Sequence, residues 1–420
     1  MGLKVLKRAF VNSVHGKVFD ENFLISVATL GAFVIGEYPE GVGVMTFYIV
    51  GEFFQDLAIN RSRRSIKSLL ALKTDYANLK VDDKIIRVGP EDVKVGDIIV
   101  IKSGELGVCK MGVPQVASCQ LHPAPPQSYT IFTAGCNFKC LNCQNCFIAH
   151  YPDIETPIRG YVDPKELAIE SIVAIKSSIG KLIGADRIFF SGGEPTIHLP
   201  YIEKIVEEAR KIDPETKVNF DTNGFLTMDS LRRVLRFTTS ITFDIKAYND
   251  DVHRALTGAP SEPVLRNAEY IARYARDKLW EYRILVIPGI IDVDEIKAIC
   301  EFIASIDPSL PICFLAFRPN FVLDQHMGAT WKLMNKAVEI ARKVGLTNVN
   351  WAGGTNIPGY ELKDYDKLKT KISGYYKHEW ALKAAVYAFK VGCRTHPRNC
   401  GSCNIKLSCP VKKYVPERVT

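Results

Sequence analysis

Two apolar stretches, Phe23–Gly36 and Gly41–Phe54, stand near the start of the chain. The polar, turn-favouring Glu37-Tyr-Pro-Glu40 separates them, a pattern that predicts a helical hairpin. Each stretch falls short of the ~20 residues that cross a bilayer, and Glu52 interrupts the second. Past residue 104 the pattern changes to short apolar runs alternating with helical periodicity. The candidate strands are Tyr129–Thr133, Arg187–Ser191, Val218–Asp221, Ile241–Asp244, Tyr282–Ile287 and Ile312–Leu315. Between them lie amphipathic segments. One begins at Asp163-Pro164 with Glu166, which supplies an N-cap, a first-turn proline and the reciprocal member of a capping box. Its apolar positions Leu167, Ile169, Ile172, Val173 and Ile175 recur on roughly a helical period. Strands that alternate with helices imply an α/β fold with a parallel sheet, here curled into a partial (βα)6 barrel with its functional loops at the strand C-termini.

Composition narrows the classes. With 47% hydrophobic and 24% charged residues in 420, the chain is globular and long enough for two or three domains. The net charge of +8 is not gathered into a dense basic block, so no nucleic-acid partner is expected. The one short basic run, Arg61-Ser-Arg-Arg64, follows an apolar stretch and suits a cytoplasmic membrane flank. Of the 12 cysteines, most fall in two short clusters with metal-ligand spacing and no signal peptide precedes them, which points to metal sites in a reducing cytoplasm.

The first cluster is Cys136, Cys140 and Cys143, a C-x3-C-x2-C loop that follows the first strand of the alternating region. Three thiolates on a cubane of four irons leave one iron without a protein ligand. The amino group and carboxylate of a methionine can chelate that iron, so the loop suits a 4Fe-4S cluster that reduces S-adenosylmethionine. A zinc knuckle completed by Cys146 or His150 is the bland alternative. Further along, Ser191-Gly-Gly-Glu-Pro195 ends a strand: its glycines let the backbone approach a ligand, and Glu194 can accept from an ammonium. Asp221-Thr-Asn-Gly224 offers Asp221 and Asn223 to ribose or carboxylate, or is simply a capped turn. Asp244 and Lys246, two apart at a strand end, can share one face, or form only a strand-end salt bridge. His150, His198 and His326 are isolated and read as surface or capping residues, while Arg283 and Ile287-Pro-Gly289 receive no role.

These segments, with Gly104-Glu-Leu-Gly-Val-Cys109 before them and Leu256-Thr-Gly258 after, resemble the radical S-adenosylmethionine superfamily over about residues 104–345. Within it they are similar to pyruvate formate-lyase activating enzyme and the AmmeMemoRadiSam-type proteins. The resemblance implies that Gly192, Gly193 and Glu194 contact the methionine amino group, and that Asp244 and Lys246 lie near its carboxylate. It also implies a radical oxidoreductase of the glycyl-radical-activating kind, a low-potential electron donor, and a protein, peptide or small-molecule substrate. An earlier set of segments resembles heavy-metal-transporting P-type ATPases: Phe19-Asp-Glu-Asn-Phe-Leu-Ile25, Ile35-Gly-Glu-Tyr-Pro-Glu40, Gly51-Glu-Phe-Phe54 and Arg61-Ser-Arg-Arg-Ser-Ile66. That likeness implies a transmembrane hairpin followed by actuator-like strands at Asp82–Val88 and Val95–Ile101, with membrane association through residues 20–57. The phosphorylation loop, the membrane metal site and the dephosphorylation loop of such pumps are missing from the sequence. The alternative reading of the whole is therefore a defective or fused pump fragment with a membrane-tethering role.

The second cysteine cluster is Cys393, Cys400, Cys403 and Cys409, set among Pro397, Gly401 and Pro410. Four thiolates suit an auxiliary 4Fe-4S cluster, a single iron or structural zinc, and spacing does not choose among them. The C-x2-C-x5-C portion resembles part of the SPASM and Twitch extensions, from which it departs where Lys413 stands in place of a cysteine. The domains expected are a pump-like fragment at 1–103 (hairpin 20–70, strands 75–103), a catalytic core at 104–345 and a cysteine-rich extension at 346–420.

Overall fold

The computed structural model describes residues 21–48, 77–81, 84–88, 98–99, 114–151, 158–360 and 362–393, together with 397, 400, 403, 409 and 411. The chain divides into two compact units, Met1–Thr74 and Asp75–Thr420. In the first, a helix Glu21–Val34 and helical residues 38–48 flank a turn in which Gly36 takes φ +88°. No described helix is long and apolar enough to cross a membrane. The basic run at Arg61–Arg64 and the segment Gly104–Cys109 lie outside the described residues.

The second unit holds two sheets. Strands β1 (Ala77–Val81), β2 (Lys84–Val88) and β3 (Ile98–Ile99) form a small antiparallel sheet in the order β2-β1-β3. The larger sheet has eight strands: β4 (Val116–His122), β5 (Ser128–Thr133), β6 (Arg187–Gly192), β7 (Lys217–Thr222), β8 (Ser240–Asp244), β9 (Leu279–Val286), β10 (Ile312–Ala316) and β11 (Val349–Ala352). They lie in sequence order. From β5 to β11 every neighbouring pair is parallel, and β4 adds an antiparallel edge. The sheet is open, a partial barrel whose edge strands are β11 and β4, the latter bridged at Val116 by Gly160. All six strands expected from hydrophobic runs are present, and β4 and β11 are additional. β11 shows why it escaped notice: Val349-Asn-Trp-Ala alternates half-buried and exposed positions, which gives no continuous apolar run.

Inner strands carry that continuous run because helices cover the sheet. Phe190, Phe220, Phe243, Tyr282 and Phe314, from five successive strands, are completely buried, each contributing on the order of 2–3 kcal/mol. Phe243 meets Tyr282 edge-on at 5.8 Å. The helix Pro164–Lys176 starts as expected, with the Asp163 carboxylate accepting from the Lys165 and Glu166 amides at 2.9 and 3.4 Å. Its buried face differs from the one read off the periodicity. Leu167, Ala168, Ser171 and Ile172 are buried, while Ile169 and Val173 are exposed. The stripe i, i+4, i+5 from Leu167 already fills the sheet-facing side, and 169 and 173 fall on the other side of the cylinder. The registers Thr133↔Gly192, Thr222↔Phe243 and Asp244↔Arg283 bring the C-terminal ends of β5 to β9 to one rim.

Candidate active site

On that rim lies a cavity of about 590 Å³. Its wall includes Cys136, Cys140 and Cys143 together with Gly192, Gly193, Glu194, Asp221, Asn223, Asp244 and Lys246. Residues more than a hundred positions apart are thereby brought together.

The cysteine loop is held by backbone. Gly135 takes φ +88° and donates to the Ile148 carbonyl at 2.7 Å, which turns the chain off β5. The Cys136 Sγ accepts from the Phe138 amide at 3.4 Å. Asn223 joins loop to strand end: its amide donates to Asn137 Oδ1 at 2.7 Å and reaches Cys136 Sγ at 3.8 Å. Asn320 Nδ2 donates to the Cys143 carbonyl at 2.7 Å. Burial pushes the Cys136 thiol up to about 12 and Cys140 to about 11, and raises Cys143 well above its usual value, with neighbouring thiols or acids adding to the shift.

The strand-end part of the wall is rich in carboxylates and cramped. Gly193 packs on Gly135 so tightly that a Cβ there would stand 1.8 Å from the Gly135 oxygen, and the Glu194 amide donates to that same oxygen at 2.9 Å. Glu194 is almost fully buried. Its carboxylate accepts from the Asn223 amide at 2.7 Å, the Thr196 amide at 3.1 Å, the Thr222 hydroxyl at 2.9 Å and the Thr196 hydroxyl. Burial raises its pKa to about 7 against the pull of those donors. Asp221 accepts from Ser191 Oγ at 2.7 Å and stands 3.9 Å from Arg283, and burial raises it too. Lys246 pairs with Asp244 at 2.6 Å while both line the cavity, so the strand-end salt bridge and the ligand wall are the same feature.

The donor set fits an iron–sulfur cluster and a cationic cosubstrate. Asn142 Oδ1 and Asp221 Oδ1 are buried without a hydrogen-bond donor, and the raised thiols and carboxyls all stand to be eased by positive charge. Among the described residues no three His, Cys, Asp or Glu side chains converge tightly enough to hold a single metal ion. A cubane, whose own edges separate its thiolates, asks for a wider arrangement.

Sequence reading missed part of the wall. Arg283, left without a role, lies in the cavity between Asp221 and Glu281, to which it binds at 2.6 Å. Arg318 and the pair Gly353-Gly354 also line it. Their signal was position: each follows the C-terminal end of a strand, β10 or the unrecognised β11. The three isolated histidines are buried, not at the surface. His198 Nε2 meets the Ala134 carbonyl at 2.6 Å, and His326 bridges Tyr387 Oη at 2.8 Å and the Pro288 carbonyl at 2.7 Å, so they serve as internal ties that hydropathy cannot reveal. Cys146 is fully buried at the head of the short helix Cys146–Ala149. Cys119 is half-buried on β4, and Cys109 is outside the described residues.

Comparison with known proteins finds two separate likenesses along the chain. Residues 130–303 match the family model described as the radical SAM superfamily, whose cofactors are a 4Fe-4S cluster and S-adenosylmethionine. A pyruvate formate-lyase-activating enzyme of Staphylococcus aureus is 29% identical over 192 residues, 44% of this chain and 71% of that protein. A solved domain of a pyruvate-formate lyase-activating enzyme from Bacteroides vulgatus overlays 40% of this chain and 100% of its own, with a TM-score of 0.34 at 22% identity. The cadmium, zinc and cobalt-transporting ATPase of Bacillus subtilis is 52% identical over 105 residues, a quarter of this chain. The chain spans 15% of that pump's length.

Proposed function

Residues 130–303 are a radical SAM domain, and from that premise we propose that this chain reductively cleaves S-adenosylmethionine and directs the resulting radical at a protein, peptide or small-molecule substrate, in the manner of a glycyl-radical-activating enzyme. The observation that carries this reading is that Cys136, Cys140 and Cys143 line one cavity with Glu194, Asp221, Asn223, Asp244 and Lys246. When bound, the cluster and its cosubstrate supply an electron and a carbon-centred radical able to abstract hydrogen.

Everything else falls to the protein. The three thiolates would hold the cluster at the rim of the sheet, and their loop is fixed at both ends by the Gly135 and Asn320 hydrogen bonds. Glu194 presents a buried negative charge, stiffened by four donors, to an ammonium. Lys246, itself fixed by Asp244, offers positive charge to a carboxylate. Asp221 and Asn223 offer acceptors and a donor to hydroxyl groups, and the glycines allow close approach of the backbone. Arg318, which is exposed, and Gly353-Gly354 line the same cavity and are available to a substrate. Electrons come from a low-potential donor protein.

Anaerobic reconstitution of the whole chain with iron and sulfide, followed by chemical reduction with S-adenosylmethionine, tests the reading. The expected outcome is 5'-deoxyadenosine together with iron–sulfur absorption that Cys136→Ala abolishes. Absence of both the nucleoside and the Cys136-dependent absorption would overturn it.

A further inference from the structure

The strand order of the large sheet divides the strand-end lining of the cavity by chemistry. Glu194, Asp221, Asp244 and Lys246 stand at or just past the ends of β6, β7 and β8, and β9, β10 and β11 come next in the sheet. There the lining changes. Leu285 of β9 is the register partner of Leu315 of β10, which in turn is the partner of Ala352 of β11, and all three line the cavity. Residues directly opposite one another on neighbouring strands share a face, so these side chains form one apolar row across three strands. Ile357 adds to the apolar lining. Among the described residues, no carboxylate lines the cavity from β9 onward.

One uncommitted cation accompanies that row. Arg318 follows β10, lines the cavity and is exposed. The other cationic side chains in the wall are engaged: Lys246 with Asp244 at 2.6 Å, and Arg283 with Glu281 at 2.6 Å and Asp221 at 3.9 Å. The Arg318 guanidinium has no ion-pair or hydrogen-bond partner among the described residues. Its backbone is held all the same. Phe317, fully buried, donates to the Val286 carbonyl at 3.1 Å and accepts from the Ala329 amide at 2.9 Å. Pro319 disfavours a helical backbone at Arg318, and Asn320 Nδ2 donates to the Cys143 carbonyl at 2.7 Å. A charged side chain mounted on a fixed loop has less backbone freedom to lose when it binds. Nearby in the wall, Gly354 leaves open space, with no atom within 4 Å of where a Cβ would stand.

We propose that the substrate is an organic acid whose apolar body lies along Leu285, Leu315 and Ala352 and whose carboxylate or phosphate is received by Arg318. A guanidinium presents either anion with a fork of two parallel donors, which is the chemistry the two share. The partition also keeps apart the two anions that the cavity must receive. Lys246, past β8, serves the carboxylate of the cosubstrate, and Arg318, past β10, serves that of the substrate. The inference rests on the radical reading and deepens it by naming the class of molecule the radical meets. Water screens an exposed guanidinium, so its contribution to affinity is moderate, on the order of 10-fold.

The test is calorimetric titration of the full chain, reconstituted anaerobically with iron and sulfide and kept unreduced with S-adenosylmethionine present. The titrants are hexanoate, hexyl phosphate and hexanol, which share one apolar body and differ in charge. At least one of the acids is expected to bind ~10-fold more tightly than hexanol, and the favoured acid identifies the anion. Arg318→Gln should remove that margin without changing the affinity for hexanol, and Arg318→Lys should restore part of it. Equal affinity for hexanol and both acids, no binding of either acid, or acid binding indifferent to Arg318→Gln would overturn the proposal. So would a loss of S-adenosylmethionine affinity in Arg318→Gln as large as the loss of acid affinity, because it would place the guanidinium on the cosubstrate. Failure of the radical reading shows separately, as a reduced chain that forms no 5'-deoxyadenosine, and is read without reference to these affinities.

Discussion

Gly193→Ala is the smallest change that should disable the site. The new Cβ would stand 1.8 Å from the Gly135 oxygen and 2.6 Å from its carbon, where side-chain carbons essentially never approach within 3.0 Å. Both partners are backbone, so the two loops must part by about 1.2 Å. That separation breaks the Glu194 amide bond to Gly135 and strains the Gly193 amide bond to Thr133, each 2.9 Å long. A buried amide without an acceptor costs about 1–3 kcal/mol, so the substitution should destabilise the catalytic unit by about 2–5 kcal/mol. Its φ is not in the left-handed region, so none of this cost is backbone strain, in contrast to Gly192 at +122°. Thermal unfolding followed by circular dichroism should show a fall of roughly 5–10 °C. Iron uptake by the Cys136 loop should fall with it, because Glu194 and the loop move apart. Gly354→Ala is the control: it lies on the same cavity, with no atom within 4 Å of a new Cβ, and should change the midpoint little. A Gly193→Ala protein that melts and loads like the unmodified one would refute the close packing of the two loops.

Two further outcomes follow from the charges. His253 and His326 are held near pKa 4 instead of 6.5, mainly by burial, so between those values the unfolded chain binds more protons and each removes about 3 kcal/mol of stability as pH falls from about 6.5 towards 4. Glu194, raised to about 7, works in the opposite sense, so the measurement is differential: His326→Gln should flatten the dependence of the urea midpoint on pH between 7 and 4.5, and an unchanged slope would contradict the burial of that ring. Arg283→Met takes the guanidinium from Asp221 and Glu281, and should cost about 2 kcal/mol of stability and weaken S-adenosylmethionine binding by ~10-fold in calorimetry. Arg283→Lys should rescue it only in part, since an ammonium cannot present the same fork.

What the sequence disclosed depended on how local the signal was. Strands buried on both faces announce themselves by unbroken apolar runs, so β5 to β10 and the rim on which Glu194 and Asp244 sit were legible. The cysteine spacing was legible for the same reason, being set within eight residues. Arg283 and Arg318 were not, because a lone arginine at a strand end reads equally as a solvated charge until the register shows what it faces. The buried histidines were hidden more completely. His326 owes its position to the Pro288 carbonyl and to Tyr387, partners in separate elements that no pattern around residue 326 encodes. Ile169 and Val173 show the converse error, where a period was right and its phase was not.

The pump-like and radical-enzyme likenesses make different demands on one polypeptide, and topology weighs them unequally. A pump couples phosphorylation to movement of its membrane helices, and the sequence contains neither the phosphorylation loop nor the membrane metal site that such coupling needs. The radical domain needs a rim of strand ends, and the eight-stranded sheet supplies it with strands drawn from residues 116–352 alone. Among the described residues the hydrophobic core of that sheet begins at Val116 and runs to Val411, and it takes in Cys393 with Cys409 packed against it. Among the described residues strands β1 to β3 pair only with one another. Among the described residues the rim is thus built from strands between Val116 and Ala352, and the pump-like likeness contributes no strand to it.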